Sequence, residues 1–226
     1  MRGLRLRILR LIAAFFVALL DLSMGAAIFF LAAKITGHNI SVLGYIFGAL
    51  LAVAPDIDLL SYLKKEHGRH HDQLIHRPAF AIPAGVFIGW IAGGPFWACV
   101  AGLCLFVHFL HDTQTGIAWL WPFSLEYKSL PFLKIEWQII EKYAGKGIAP
   151  YLDDFWLEPT KHSFWQLVPA VIILTLLVWL HFGSPYGLYI ALAFFIFSWI
   201  ALLQFWQFGS VAIRESLRAG RGKRKI

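Results

Sequence analysis

Six apolar runs alternate with polar stretches along the chain, at about residues 11–33, 40–54, 78–92, 96–111, 164–182 and 186–208. A helix needs about 20 apolar residues to cross a bilayer, so the runs predict membrane spans, the second a short one. Gly93-Gly94-Pro95 cannot continue a helix and predicts a tight turn between the third and fourth. Arg2, Arg5, Arg7 and Arg10 precede the first run, an arrangement shared by cleaved signal peptides. That run continues well past the candidate cleavage site, so a full span is expected. The stretch 112–163 is mixed and rich in Trp, Tyr, Phe and Pro. Within it, 134–143 places Ile135, Ile139 and Tyr143 on one side, as in an amphipathic helix lying on a membrane surface.

Composition agrees. Of 226 residues 59% are hydrophobic and 15% charged, and the mean hydropathy is +0.66, too apolar for a soluble domain. The expected fold is an all-α, polytopic membrane helical bundle of about six transmembrane helices with an interfacial amphipathic segment. It forms a single integral membrane domain over 1–226. Residues 1–125 carry the motifs, 126–163 form a cytoplasmic interfacial segment, and 164–226 hold two C-terminal spans and a basic tail. Ten Trp and twenty Phe suit interfacial aromatic belts. Cys99 and Cys104 share one apolar run and read as reduced core residues.

The formal charge of +7 changes the picture less than its placement does. Of the twenty Lys and Arg, only Lys34 falls in a loop assigned outside. The positive-inside rule then puts both termini and the loops 55–78 and 112–163 in the cytoplasm. The tail is explained by topology, with attraction to anionic membrane lipids as an addition. No nucleic-acid partner is implied.

Against this background the polar residues stand out. His108 and Asp112 are four apart and share a helix face, a natural half-site for a divalent metal. A His–Asp hydrogen bond at a helix end is the bland alternative. Pro55-Asp56-Ile57-Asp58 closes the second run, and two close carboxylates repel unless a cation or proton lies between them; two solvated acids are the alternative. The loop HGRHHDQLIHRP offers His67, His70, His71 and His76. His71 and His76 lead into the third span and are favoured as ligands, with His70 and His67 as supporting or surface groups. Asp21 lies inside the first span, where a carboxylate is costly unless paired. It is about 16 Å along the helix from Arg10, deeper than the rest of the cluster. His38, His162 and His181 are isolated in sequence.

Taken together, these segments resemble the membrane-bound metal-dependent hydrolases, a prokaryotic family of integral membrane proteins. The likeness rests on Pro55-Asp56-Ile57-Asp58, His71 to His76, His108 to Asp112, and Gly116 through Leu120-Trp121-Pro122, over about residues 15 to 125. Residues 126–226 match only in being hydrophobic. The family's early His-x3-Gly reads Asp21-Leu-Ser-Met-Gly25 here, and Ile75 and Arg77 replace its usual Thr and Ser. Either Thr113 or Thr115 stands for the family's Thr.

The resemblance implies an inner-membrane hydrolase with its metal site at the cytoplasmic ends of the first four spans. The ligands would be Asp56, Asp58, His71, His76, His108 and Asp112, joined by Asp21, with His70, His111, Thr113 and Thr115 around them. Six or seven N/O ligands suit two divalent ions, zinc first and manganese or iron next. Asp58 or Asp56 would orient or deprotonate a metal-bound water. A lipid or lipid-linked phosphoester is the expected substrate, and a faint likeness of ligand order to zinc-dependent phospholipase C points to the same chemistry. Two rivals remain. His67-x2-His70-His71 resembles one histidine box of a membrane di-iron hydroxylase or desaturase, but only His108-x2-His111 is a partial second. A transporter, or a scaffold whose acids pair with Arg69 and Arg77, would suit the acids. The last two spans, however, carry almost no polar groups along a path.

Overall fold

The computed structural model describes residues 2–58, 73–113, 117–124, 126 and 148–222, and the side chains of most of these. The amphipathic segment expected at 134–143 lies outside them. The chain is all-α, with no strand element among the described residues. Helix α1 spans Arg2–Thr36, and Gly37 ends it with φ +73°. Helix α2, Val42–Ala52, starts where the Ser41 side chain accepts from the amide of Gly44. Short 3₁₀ turns follow at Ala54–Asp58 and Leu74–His76.

Helix α3, Pro78–Asp112, breaks at Gly93 and Gly94. Gly94 has φ +75°, a conformation suited to glycine. The arms 78–92 and 95–112 fold back on each other: a Cβ at Gly89 would come within 2.6 Å of the Trp97 carbonyl. The expected turn and the third and fourth spans are thus one helical hairpin. Helix α4 is Ile148–Phe155. Helix α5, Lys161–Phe182, opens with a reciprocal cap between Thr160 and Ser163 and ends at Gly183. Helix α6 is Pro185–Gly222. Four helices (α1, α3, α5 and α6) are long and apolar enough to cross a membrane. α2, with 11 residues, reaches only about 16 Å, roughly half the hydrocarbon thickness.

By its contacts the chain divides into two compact units. One, Asp21–Ile148, holds the second half of α1, α2 and the α3 hairpin. Helices in lipid gain no hydrophobic drive toward one another, so their backbones approach through small residues. Gly25 on α1 faces Gly48 on α2, where a Cβ would lie 2.2 Å from the Gly48 carbonyl oxygen, and Phe29 covers Gly44. Phe29 is 5.6 Å from the Trp97 ring in a stacked pair and meets Tyr45 edge-on. The Cys104 thiol donates to the Gly48 carbonyl at 3.5 Å. Both cysteines are free, but only Cys104 is a core residue: Cys99 is exposed, against the expectation that both lie in the core. This apolar layer ends in polar residues supplied by α1, both 3₁₀ turns and the end of α3.

The other unit comprises Met1–Leu20 and Ala149–Ile226. Arg10 grips Asp153 through Nε and Nη2 at 2.8 and 2.5 Å. Phe16 meets Phe205 edge-on at 4.9 Å, and the Arg5 guanidinium lies 5.7 Å from the Phe208 ring. Leu152, Trp156 and Leu157 are fully buried. His162, isolated in sequence, is not isolated here: Tyr151 Oη lies 2.8 Å from its Nε2, and Gln166 lies 3.3 Å away. Burial pushes the Tyr151 hydroxyl up to about 12.

Candidate metal centre

Four short pieces of backbone bring the polar cluster together. The turn Ala54–Asp58 places Asp56, the turn Leu74–His76 places His76, and the last turn of α3 carries His108 and Asp112. Proline at 55 and at 78 explains why the chain leaves helical geometry here: each disfavours helix in the residue before it and removes an amide donor. One donor atom from each of Asp56, His76, His108 and Asp112 lies within 4.8 Å of all the others, and together they could hold a metal ion.

The separations are specific. His76 Nε2 lies 3.3 Å from Asp56 Oδ1, and His108 Nε2 lies 3.8 Å from the same oxygen. His108 Nε2 is 3.0 Å from Asp112 Oδ2. Donors bound to one zinc ion at about 2.0–2.2 Å stand about 3.4 Å apart on tetrahedral edges, so the set spans the right distances. Both imidazoles are fully buried, while the Asp56 and Asp112 side chains keep 16% and 15% exposure. The accessible side of the cluster is therefore its carboxylate side.

His108 has an unusual position. Both of its ring nitrogens are buried, and neither makes a properly aligned hydrogen bond, even though Asp112 is 3.0 Å away. Buried polar atoms are rarely left so. An imidazole and a carboxylate 3.0 Å apart, both facing His76 and Asp56, suit a common third partner. With two nitrogens and two oxygens as donors, the set fits zinc, manganese or iron better than a thiolate-seeking metal.

Asp21 is not among the four. It is 3% exposed, and both of its oxygens lie 3.1 Å from Nδ1 of His111. Its Oδ2 is 3.8 Å from Nδ1 of His108. The mismatch in depth that counting along the first span suggests is absent, because Asp21 is level with the last turn of α3. His111, about 60° round the helix from His108 and about 100° from Asp112, faces α1 rather than the cluster. Sequence reasoning missed this pair, although a carboxylate inside a span calls for a partner. Thr113 is buried and its hydroxyl donates to the Leu110 carbonyl at 2.6 Å, finishing α3. His67, His70, His71 and Thr115 lie outside the described residues, as does the side chain of Asp58. Arg77 is buried beside His76, and Arg69 lies outside the described residues.

A family model described as YdjM inner membrane protein matches residues 19–182. The match begins just before Asp21, takes in the whole cluster and ends with α5. It thus extends well past residue 125, where the resemblance drawn from motifs ends. No curated protein and no solved structure matches the chain.

Proposed function

The chain belongs to the YdjM inner membrane protein family, and from that premise we propose that it is a membrane hydrolase using a divalent metal held by Asp56, His76, His108 and Asp112. The observation that carries the reading is the convergence of four donor atoms within 4.8 Å of one another, two of them on fully buried imidazoles. Zinc is the first choice of metal and manganese or iron the next. Asp58 and His71 are the residues we propose for a second ion.

A bound metal would act as a Lewis acid and bring the pKa of a bound water toward neutrality. The chain's own groups do the rest. The buried imidazoles fix the donors. The partly exposed carboxylates of Asp56 and Asp112 face the side from which water and substrate arrive. A carboxylate oxygen of Asp56 or Asp58 would accept the proton of the attacking water. A site at the polar end of short, lipid-embedded helices suits a lipid or lipid-linked phosphoester. The charge pattern supports a cytoplasmic site with both termini on the same side, and the approach of Arg5 to Phe208 supports common placement of the two ends.

The test is elemental analysis of protein purified without chelator, followed by hydrolysis assays. These would use a chromogenic phosphodiester and phospholipids in mixed micelles. At least one metal per chain and metal-dependent release of product are expected. Metal well below one per chain would sink the reading. A metal-loaded protein inert to every ester would remove the hydrolase but leave the metal centre.

A further inference from the structure

Resting on the metal centre proposed above, we infer that Asp21 is a positioning residue for it: Asp21 takes the Nδ1–H of His108 and leaves Nε2 as the bare donor, while His111 holds Asp21 in place. The argument starts from His108, whose ring has two faces of contact. Nε2 looks toward Asp112 and Asp56, at 3.0 and 3.8 Å. Nδ1 looks the other way, toward Oδ2 of Asp21 at 3.8 Å. Helical spacing makes this possible: Asp112 is one turn on from His108 and shares the site face, whereas His111 is turned toward α1.

An imidazole binds a metal through a nitrogen without a proton, so the proton must sit on the other nitrogen and needs an acceptor there. Metal-bound histidines meet that need with a carboxylate, backbone carbonyl or water, and the partner also fixes the ring orientation. Around Nδ1 of His108, Asp21 is the carboxylate in reach among the described residues. The 3.8 Å gap exceeds a hydrogen bond by about 0.6 Å, a distance that a small turn of the His108 ring toward the fixed carboxylate recovers.

Asp21 is equipped for this role and poorly placed to be a ligand itself. It is almost fully buried on a continuous helix, so its position is rigid. His111 Nδ1 bridges its two oxygens at 3.1 Å each, which locks the carboxylate plane. A carboxylate has lone pairs for a further donor after that contact. Between Asp21 and the four-donor locus stands the His108 ring.

The test uses the full chain, purified and reloaded with Zn²⁺ or Co²⁺, with affinity read by competition against a chelator. Asp21→Asn should keep the wild-type number of ions and the wild-type Co²⁺ visible band positions, because the donor set is unchanged. Its affinity should fall about 10–100-fold. Asp21→Glu should recover part of that loss, and His111→Gln should weaken binding less than Asp21→Asn. Unchanged affinity in folded Asp21→Asn would overturn the role. So would loss of one whole ion per chain, or shifted cobalt bands, since either makes Asp21 a ligand. Should Asp21→Asn fail to fold, unchanged affinity in both Asp21→Glu and His111→Gln overturns it equally. A wild-type chain that binds no metal overturns both the centre and this role. Metal in the wild type with no effect at Asp21 overturns the role alone.

Discussion

His76 and His108 face each other with ring centroids 6.0 Å apart and a 51° tilt, and each turns Nε2 toward the same oxygen, Oδ1 of Asp56. One arrives on a 3₁₀ turn and the other on a long helix, so nothing local in the chain forces the meeting. Two buried imidazoles that converge on one carboxylate oxygen leave room for a shared cation.

Asp56 should therefore be the most sensitive of the four. We expect Asp56→Asn to lower metal content to well under half of wild type, with His76→Gln close behind. His181 is exposed on α5 and touches Phe182 edge-on, so His181→Gln should leave metal content unchanged. Elemental analysis of the three variants decides it. Equal metal in all would mean that Asp56 is not a ligand.

The crossing of α1 and α2 has no spare volume. A side chain at Gly48 would put Cβ 2.6 Å from the Gly25 carbonyl oxygen, and Gly37 has open space but φ +73°. Gly48→Val should cost about 1–3 kcal/mol or more through overpacking. Gly37→Ala should cost only about 1–2 kcal/mol, from the left-handed backbone alone. Thermal unfolding in detergent compares them, and a milder Gly48 variant would show that the helices can move apart.

The apolar pattern made the fold readable: six hydrophobic runs became helices, and Gly93-Gly94 marked the hairpin tip. The short second run is a short helix, as expected. α2 stops at about half a bilayer because Pro55 ends it, and the polar cluster lies there. Within the site, His108 with Asp112 was legible because helical spacing is local. The preference for His71 and His76 over His67 and His70 rests only on nearness to the third span, and of the four only His76 lies among the described residues. The Asp21–His111 pair was not legible, because it joins residues 90 positions apart on two helices. The sequence carried only half of that signal, a carboxylate with no visible partner.

Arg10 and Asp153 form a two-point contact with side-chain exposures of 32% and 24%. Removing one partner leaves a half-buried charge, so Arg10→Leu alone should destabilise by about 1–3 kcal/mol. Replacing both by Leu should recover most of that, since apolar replacement of an ion pair is often near neutral. A double-mutant cycle in thermal unfolding reads the coupling. Additive losses would show that the two charges do not interact in the folded protein.

The proposed topology rests on nineteen of the twenty basic residues lying in the N-terminus, the loops 55–78 and 112–163, and the tail. Reporter fusions at Gly94 and at Ile226 should land on opposite faces of the membrane, with Ile226 cytoplasmic. Because α2 falls short of a full crossing, a reporter after Asp58 is the sharper probe. It should behave as cytoplasmic only if the cluster opens to that side. Fusions at Gly94 and Ile226 on the same face would refute the arrangement.

The final prediction separates a metal centre from a network of buried ion pairs, because the two give opposite signs at Asp112. In an ion-pair network, Asp112 neutralises an imidazolium at His108, 3.0 Å away. Removing that charge would leave a buried cation short of a partner and cost about 3–5 kcal/mol, metal or no metal. In a metal centre, the apo cluster holds carboxylates whose mutual repulsion the ion relieves. Asp112→Asn should then leave the apo protein as stable as wild type or slightly more so. The loss appears only on adding metal. Zinc at about 100 times the wild-type Kd should raise wild-type stability by about 2.7 kcal/mol. If the variant binds about 100-fold more weakly, the same zinc should contribute only about 0.4 kcal/mol to it. Melting temperatures measured with chelator and with zinc, for wild type and Asp112→Asn, give all four values. A variant destabilised equally in both conditions would assign the cluster to ion pairing and remove the basis for a metal at this site.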